Sequence, residues 1–168
     1  MLHLLGRSAG RKQTVRQLYA TTVARAREPV FFTKLGVPDT IDGRFDLLAL
    51  HAWMVLDRLR EAKLPDLSQA FIDTVFIGFD EGLRDLGAGD MGMGRRMKKL
   101  ADAFYGRMSS YEGSESIQTM SESLLRNLYR GAGDVQSAAI VARYVDSARA
   151  HVAQSDIAAG ELDFGPLP

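Results

Sequence analysis

The chain has 168 residues, of which 46% are hydrophobic and 25% are charged, a composition typical of one soluble globular domain and unlike that of a disordered chain. The 21 Lys and Arg balance the 21 Asp and Glu, which excludes a protein-wide attraction to nucleic acid. The absence of cysteine excludes disulfides, thiolate metal sites and cysteine nucleophiles.

Helical periodicity of apolar residues runs through most of the chain and predicts an all-α fold, a single compact domain of about six helices. The predicted helices cover residues 13–27, 41–62, 65–87, 91–110, 115–130 and 134–153. The second of them is apolar around most of its circumference, so we expect it to lie at the centre of the fold. Proline and glycine between the periodic segments mark the helix ends.

The last residues differ in composition from the rest of the chain. Residues 155–168 contain three acidic residues, two prolines and no basic residue. We therefore predict a helical domain over residues 1–154, followed by a flexible acidic tail over 155–168 that is dispensable for folding.

His51 lies on the predicted central helix, between apolar directions. A buried histidine can act as a proton shuttle or a ligand. It can also be a core residue with one satisfied hydrogen bond. The second interpretation is favoured, because no other histidine or cysteine is close in sequence.

Three carboxylates precede or begin the second predicted helix, namely Asp39, Asp42 and Asp46, with Arg44 among them. Such a group can perform acid–base chemistry or bind a divalent cation. Capping of the helix, for which Asp39 and Thr40 are the two candidates, and favourable charge at its N-terminus explain the same pattern. No catalytic motif accompanies the group, so the second explanation is preferred.

The glycine-rich segment GAGDMGMG follows the third predicted helix. It lacks the preceding strand and the Gly-Lys-Ser/Thr ending of a phosphate-binding loop. A helix end, a short turn and an N-cap at Asp90 explain it better. We therefore expect no nucleotide, no other cofactor and no metal site.

Two features point to binding of a polypeptide. The connector before the second predicted helix contains the adjacent aromatic residues Phe31 and Phe32, which cannot easily both face inward, so one is a candidate for a surface groove. The fourth predicted helix carries an outward basic face. Core filling and a solvated helix face remain the alternative explanations of these two features.

Two long segments resemble the ubiquinol–cytochrome c chaperone family: FFTKLGVPDTIDGRFDLLALH (31–51) and LRDLGAGDMGMGRRMKKLADAFYGR (83–107). The resemblance extends over about residues 15–110. It implies a non-enzymatic assembly chaperone that binds newly made cytochrome b and supports biogenesis of the ubiquinol–cytochrome c reductase complex (complex III). Mitochondrial relatives carry N-terminal targeting and anchoring segments and work with a small partner protein; we expect a bacterial member, and do not extend that partner to this chain.

The predicted partner surface combines the two binding features. An apolar groove is expected to involve Phe31, Phe32 and Leu35, and a basic border to involve Arg44, Arg95, Arg96, Lys98 and Lys99. Cytochrome b is the expected partner, with the membrane surface as a second. No stretch reaches the length of a membrane span, so we expect a cytoplasmic protein that is peripheral at the inner membrane.

The alternative function is of a different class. It is a small helical enzyme or haem-handling protein that uses His51 and the Asp39, Asp42 and Asp46 group.

Overall fold

A computed structural model describes the backbone of residues 2–168 and the side chains of residues 9–168. Over this part of the chain the secondary structure is entirely helical, which confirms the predicted all-α fold. The helices are α1 (Leu2–Ala26), α2 (Pro29–Thr33), α3 (Ile41–Glu61), α4 (Pro65–Asp85), α5 (Met93–Glu112), α6 (Ile117–Asn127) and α7 (Val135–Gln154), followed by a 3₁₀ turn at Ile157–Ala159.

The six long helices match the predicted ones in order, with two differences. α1 begins at Leu2 instead of residue 13, so the helix continues through the basic N-terminal residues. The connector contains the short α2, which begins with Pro29 at a first-turn position where a missing N–H is harmless.

α3 is the central helix, as predicted. It packs against α1, α4, α5 and α7, and most of its residues are buried. Leu47, Leu50 and Val55 are fully enclosed on different sides of the helix. A helix that is apolar nearly all round can bury all its faces only by being surrounded, and the other helices supply that cover.

The start of α3 is fixed by the preceding connector. The Thr40 hydroxyl caps the helix by accepting a hydrogen bond from the backbone N–H of Gly43 at 3.1 Å, which confirms one of the two predicted caps. The chain also folds back so closely that a Cβ atom at Gly43 would overlap the carbonyl oxygen of Pro38. Glycine at this position therefore lets the connector lie against the first turn of α3.

The start of α5 differs from the prediction. Asp90 is not the N-cap; its carboxylate is bound by Arg84 at 2.6 Å. Gly92, with φ of 82°, occupies the N-cap position, and no side chain caps the helix. The segment between α4 and α5 forms two turns that contain glycine residues. As a result, α5 begins after Asp90.

The prediction of a flexible tail is wrong. Ile157 and Phe164 are buried, and the Phe164 ring packs edge-on against the His51 ring with centroids 5.3 Å apart. Arg25 of α1 donates a hydrogen bond to the carbonyl oxygen of Gly165 at 2.7 Å, and its guanidinium lies 5.7 Å from the centre of the Phe164 ring. Two apolar anchors are enough to dock this segment, although its composition is acidic and rich in turns.

Candidate functional site

His51 is a core residue with both ring nitrogens engaged. Nδ1 lies 2.8 Å from the carbonyl oxygen of Leu47, and Nε2 lies 2.8 Å from the hydroxyl of Tyr144. A carbonyl can only accept, so Nδ1 carries the proton and Nε2 accepts from Tyr144. Burial lowers the pKa of His51 to about 4, which keeps the ring neutral. The favoured interpretation expected one hydrogen bond, and the structure provides two.

The three carboxylates are all held by arginine: Asp42 and Asp46 share Arg130, whereas Asp39 pairs separately with Arg44. Asp39 pairs with Arg44 at 2.8 Å on the surface, and Asp42 pairs with Arg130 at 2.9 Å. Asp46 is buried and contacts Arg107 at 2.6 Å and Arg130 at 2.9 Å. Arg130 follows α6, so this pairing ties the α6–α7 turn to α3.

The Asp46 network accounts for the charge pattern that suggested acid–base chemistry. Burial raises the pKa of Asp46, and the guanidinium groups of Arg130 and Arg107 oppose the rise. Arg107 also lies over the Phe45 ring at 5.1 Å. Among the side chains of residues 9–168, no cluster of three or more histidine, aspartate or glutamate residues is arranged to hold a metal ion. The carboxylates therefore stabilise the fold.

Two of the predicted groove residues belong to the core instead. Phe31 is fully buried and packs edge-on against His51 and Tyr144, with both pairs of ring centroids 5.4 Å apart. Leu35 is buried, and its carbonyl oxygen accepts a hydrogen bond from Tyr129 at 2.7 Å. The single turn of α2 directs Phe31 inward, so Phe31 and Leu35 are not available to a partner in the folded protein.

Phe32 points elsewhere, as expected for the neighbour of a buried aromatic residue. It is half-buried and lines a cavity of about 260 Å³ together with Arg27, Pro29, Asp39 and Arg44. Of the two adjacent aromatic residues in the connector, Phe32 is the one that reaches the surface.

A larger apolar groove adjoins this cavity and involves α1, α3, α4 and α5. Its volume is about 430 Å³, and it shares Arg27 and Arg44 with the Phe32 cavity. We define the apolar groove by its principal lining residues, Tyr19, Val23, Ala26, Arg27, Ile41, Arg44, Phe45, Leu48, Phe79, Leu83, Asp85, Leu86 and Leu100. Ile41 and Leu86, at the rim of the groove, are each 61% exposed.

The sequence analysis missed this groove, although it identified Arg44. Phe79 and Leu83 of α4 and the following Leu86 form an apolar stripe at helical spacing, which the sequence analysis did not connect with a groove. The signal for a groove was the combination of that stripe with Ile41, an apolar residue directly after an N-cap, where a solvated helix start favours polar residues. Periodicity shows that a face is apolar but not whether another helix covers it.

A second cavity, of about 610 Å³, lies on another side of α3. Its apolar lining comes from α3, α4, α5 and the turn before α4, and includes Trp53, Leu56, Leu64, Ile72, Tyr105 and Met108. Arg60 at its edge is engaged in ion pairs with Asp57 and Glu112. Three of the charged side chains here, Asp57, Arg60 and Glu112, are thus paired with one another.

The predicted basic border lies beyond the apolar groove. Arg95, Arg96, Lys98 and Lys99 are exposed, and none forms an ion pair with a residue that the structure describes. None of the four lines the groove, whereas Leu100, the next residue of α5, does. The structure thus places Arg44 and Phe32 beside the groove and the four cations of α5 outside it.

Comparison with known proteins identifies this helical arrangement. Residues 33–161 match the family described as Ubiquinol-cytochrome C chaperone. The chain belongs to the ubiquinol–cytochrome c chaperone family. It is also similar to a solved structure, that of the Cbp3 homolog from Brucella abortus, with a TM-score of 0.85 and 33% sequence identity over 100% of both chains. No curated protein matches the chain.

Family membership defines the general role. The chain is a non-enzymatic assembly factor with a chaperone role in the assembly of complex III. This family and fold confirm the resemblance found from residues 31–51 and 83–107. None of the helices between residues 2 and 168 is both long enough and apolar enough to span a bilayer.

Proposed function

We propose that this chaperone binds newly made cytochrome b through the apolar groove and holds it until assembly partners of complex III take it over. The observation that supports the proposal is the exposure of Ile41 and Leu86, each at 61%, beside an open apolar cavity. Contiguous exposed apolar surface on a folded protein commonly marks an interaction site.

The chemistry of the groove suits such a client. Cytochrome b is a polytopic membrane protein, so its newly made segments are apolar and its loops carry charge. The groove offers apolar side chains from four helices, and Arg27 adds a cationic group at the place where it meets the Phe32 cavity, where Arg44 is already paired with Asp39. An apolar segment flanked by an acidic or carboxylate group would satisfy both parts of this surface.

Holding and release need no nucleotide. Binding of the client to the chaperone lowers the concentration of free, aggregation-prone chain by mass action, about 100-fold at a chaperone concentration of 100 Kd. Partners within complex III that bind the same apolar segment more favourably then remove it by competition. We propose that this exchange occurs at the inner-membrane surface, with the chaperone on the cytoplasmic side.

Site-specific crosslinking tests the proposal. The chain contains no cysteine, so one introduced cysteine can carry a photoreactive benzophenone at a single position. Ile41→Cys places the probe in the groove, and Val135→Cys is a matched control, because the two residues are 61% and 66% exposed and each is the first residue of its helix.

The expected result is a crosslink to cytochrome b from Ile41→Cys and none from Val135→Cys, when the labelled protein is added to membranes that are synthesising cytochrome b. Equal crosslinking from both positions, or none from either in the presence of client, would remove the groove as the binding site.

A further inference from the structure

The N-terminal part of α5 concentrates positive charge that the rest of the molecule does not neutralise. With 100° per residue, Lys98, Arg95, Lys99 and Arg96 cover an arc of about 160° on the helix surface. All four are exposed, and Asp102 is the one acidic residue of α5 in the same arc. The protein as a whole has a formal net charge of zero, so this arc is a local basic patch on a protein whose positive and negative charges are equal in number.

An exposed apolar side chain lies shortly before this patch in the sequence. Met91 is 94% exposed and belongs to the segment that joins α4 to α5. The acidic residue before it, Asp90, is bound by Arg84 at 2.6 Å and so opposes the basic patch less. The end of the α4–α5 segment and the first turns of α5 therefore expose an apolar group and cationic groups within one short stretch of chain.

The charges are placed against the local preference of the helix. The N-terminus of an α-helix carries partial positive charge, which disfavours cations in the first turns. α5 has no acidic residue in its first turn and no side-chain N-cap, yet Arg95 and Arg96 lie close to its start at Met93. Departures from local preference that the fold does not require are commonly found at functional sites.

We propose that Arg95, Arg96, Lys98 and Lys99, together with Met91, form a docking surface for an anionic phospholipid bilayer. The cations would contact lipid phosphates, and Met91 would enter the boundary between headgroups and acyl chains. This surface deepens the proposed action at the inner membrane. It does not depend on client capture, because none of the four cations lines the apolar groove.

A bilayer explains the pairing of charge with exposed apolar groups better than the client does. The four cations spread over an exposed helix surface and line none of the cavities described above, which suits a planar array of phosphates rather than one bound peptide. The groove, in contrast, is concave and mainly apolar. On this assignment the groove faces the client while the start of α5 faces the lipid headgroups.

Vesicle co-sedimentation of the full chain tests the assignment. We expect binding to vesicles that mix phosphatidylcholine with phosphatidylglycerol, little binding to phosphatidylcholine alone, and a decline as salt is added. Each cation near an anionic surface contributes about a 5-fold factor, so replacing Arg95, Arg96, Lys98 and Lys99 with Ala should lower the partition coefficient about 100-fold or more. Met91→Ser should lower it by a smaller factor, with most effect at high salt.

The matched control removes the same charge elsewhere. Lys12, Arg16, Arg126 and Arg143 are exposed and form no ion pair with a described residue. Replacing these four with Ala should leave most vesicle binding intact, and both variants should melt within a few degrees of the wild type. Equal loss of binding in the two variants would show that net charge, not this surface, governs the interaction and would overturn the proposal.

A further comparison separates lipid from client. If the Ala variant of the α5 cations keeps full vesicle binding but loses the crosslink from Ile41→Cys to cytochrome b, the four cations serve the client and the lipid assignment is wrong. If vesicle binding is lost while the crosslink forms with detergent-solubilised client, the lipid assignment is supported. A failure of the crosslink in every variant, with vesicle binding as expected, would overturn only the proposed client site.

Discussion

The buried middle of α3 differs from the outer side of the molecule, formed by the start of α3 with α4 and α5, in how polar and apolar groups are exposed. Around α3, His51 and Asp46 are buried and have hydrogen-bonding or charged partners. On the outer side, Ile41 and Leu86 are exposed beside a cavity, and the basic residues at the start of α5 have no ion-pair partner in the described chain. The residues that resemble catalytic groups are thus structural. Binding is better sought where apolar and charged groups are left open.

The largest expected loss of stability comes from the docked C-terminal segment. Phe164→Ala should lower the free energy of unfolding by about 3–5 kcal/mol, because it empties a core position against His51. Urea unfolding followed by circular dichroism measures this. Leu167→Ala is the control, since Leu167 is 45% exposed and should change stability by less than about 1 kcal/mol. Similar stability of the two variants would mean that the segment is not docked.

Removal of the buried carboxylate should have a smaller but still large effect. Asp46→Ala leaves Arg107 without its buried partner and should destabilise the fold by about 3 kcal/mol, the lower end for a buried ion pair because Arg130 can turn to solvent. Asp39→Ala breaks an exposed pair with Arg44 and should change stability by about 1 kcal/mol or less. Urea unfolding of Asp46→Ala and Asp39→Ala measures the difference. Equal urea midpoints of the two variants would refute the structural role of Asp46.

Acidification should lower the free energy of unfolding, because His51 is buried in its neutral form. Its pKa is lowered from 6.5 to about 4 in the folded protein, so the unfolded chain takes up the proton first as the pH falls below 6.5. The free energy of unfolding should then decrease by up to about 1.4 kcal/mol per pH unit. This stability is present above pH 6.5 and is lost progressively toward pH 4.

Urea unfolding at a series of pH values between neutrality and about pH 5 tests this slope, before most carboxylates titrate. His51→Gln should flatten it. His151→Gln, at a partly exposed position, should retain it. An unchanged slope in His51→Gln would assign the pH dependence to other groups.

The smallest effect on stability is expected in the groove, together with a large effect on binding. Ile41→Asp introduces a charge among apolar side chains but should change the free energy of unfolding by about 0.5 kcal/mol or less, because Ile41 is exposed at a helix start. Val135→Asp makes the same change at the start of α7. We expect co-purification of cytochrome b to fall at least 10-fold with Ile41→Asp and to persist with Val135→Asp.

The helical order of the fold could be predicted because helix periodicity, proline and helix caps are local signals. The burial of α3 followed from its apolar circumference, and Thr40 was recognisable as a cap. The direction of Phe31 was not, because two adjacent aromatic residues carry no information on which one faces the core. Docking of Phe164 escaped prediction for a similar reason, since its partners Arg25 and His51 are far away in the sequence.

The candidate site could be predicted only in part. Arg44 and Phe32 lie beside the groove, but Ile41 and Leu86 were not recognised, because whether an apolar stripe is covered depends on how neighbouring helices pack. The four cations of α5 were identified as exposed, and helix periodicity was sufficient for that. Their distance from the groove depends on tertiary structure, which the sequence pattern does not contain.

The most direct test of the central claim is the amount of haem-loaded cytochrome b in membranes of cells that lack this gene, measured by reduced-minus-oxidised absorbance spectra. We expect the deletion to lower that amount while unrelated membrane proteins stay constant, and the wild-type chain and Val135→Asp to restore it. Ile41→Asp, although folded and expressed, should fail to restore it. Normal cytochrome b in the deletion strain, or full restoration by Ile41→Asp, would contradict capture of cytochrome b in the apolar groove.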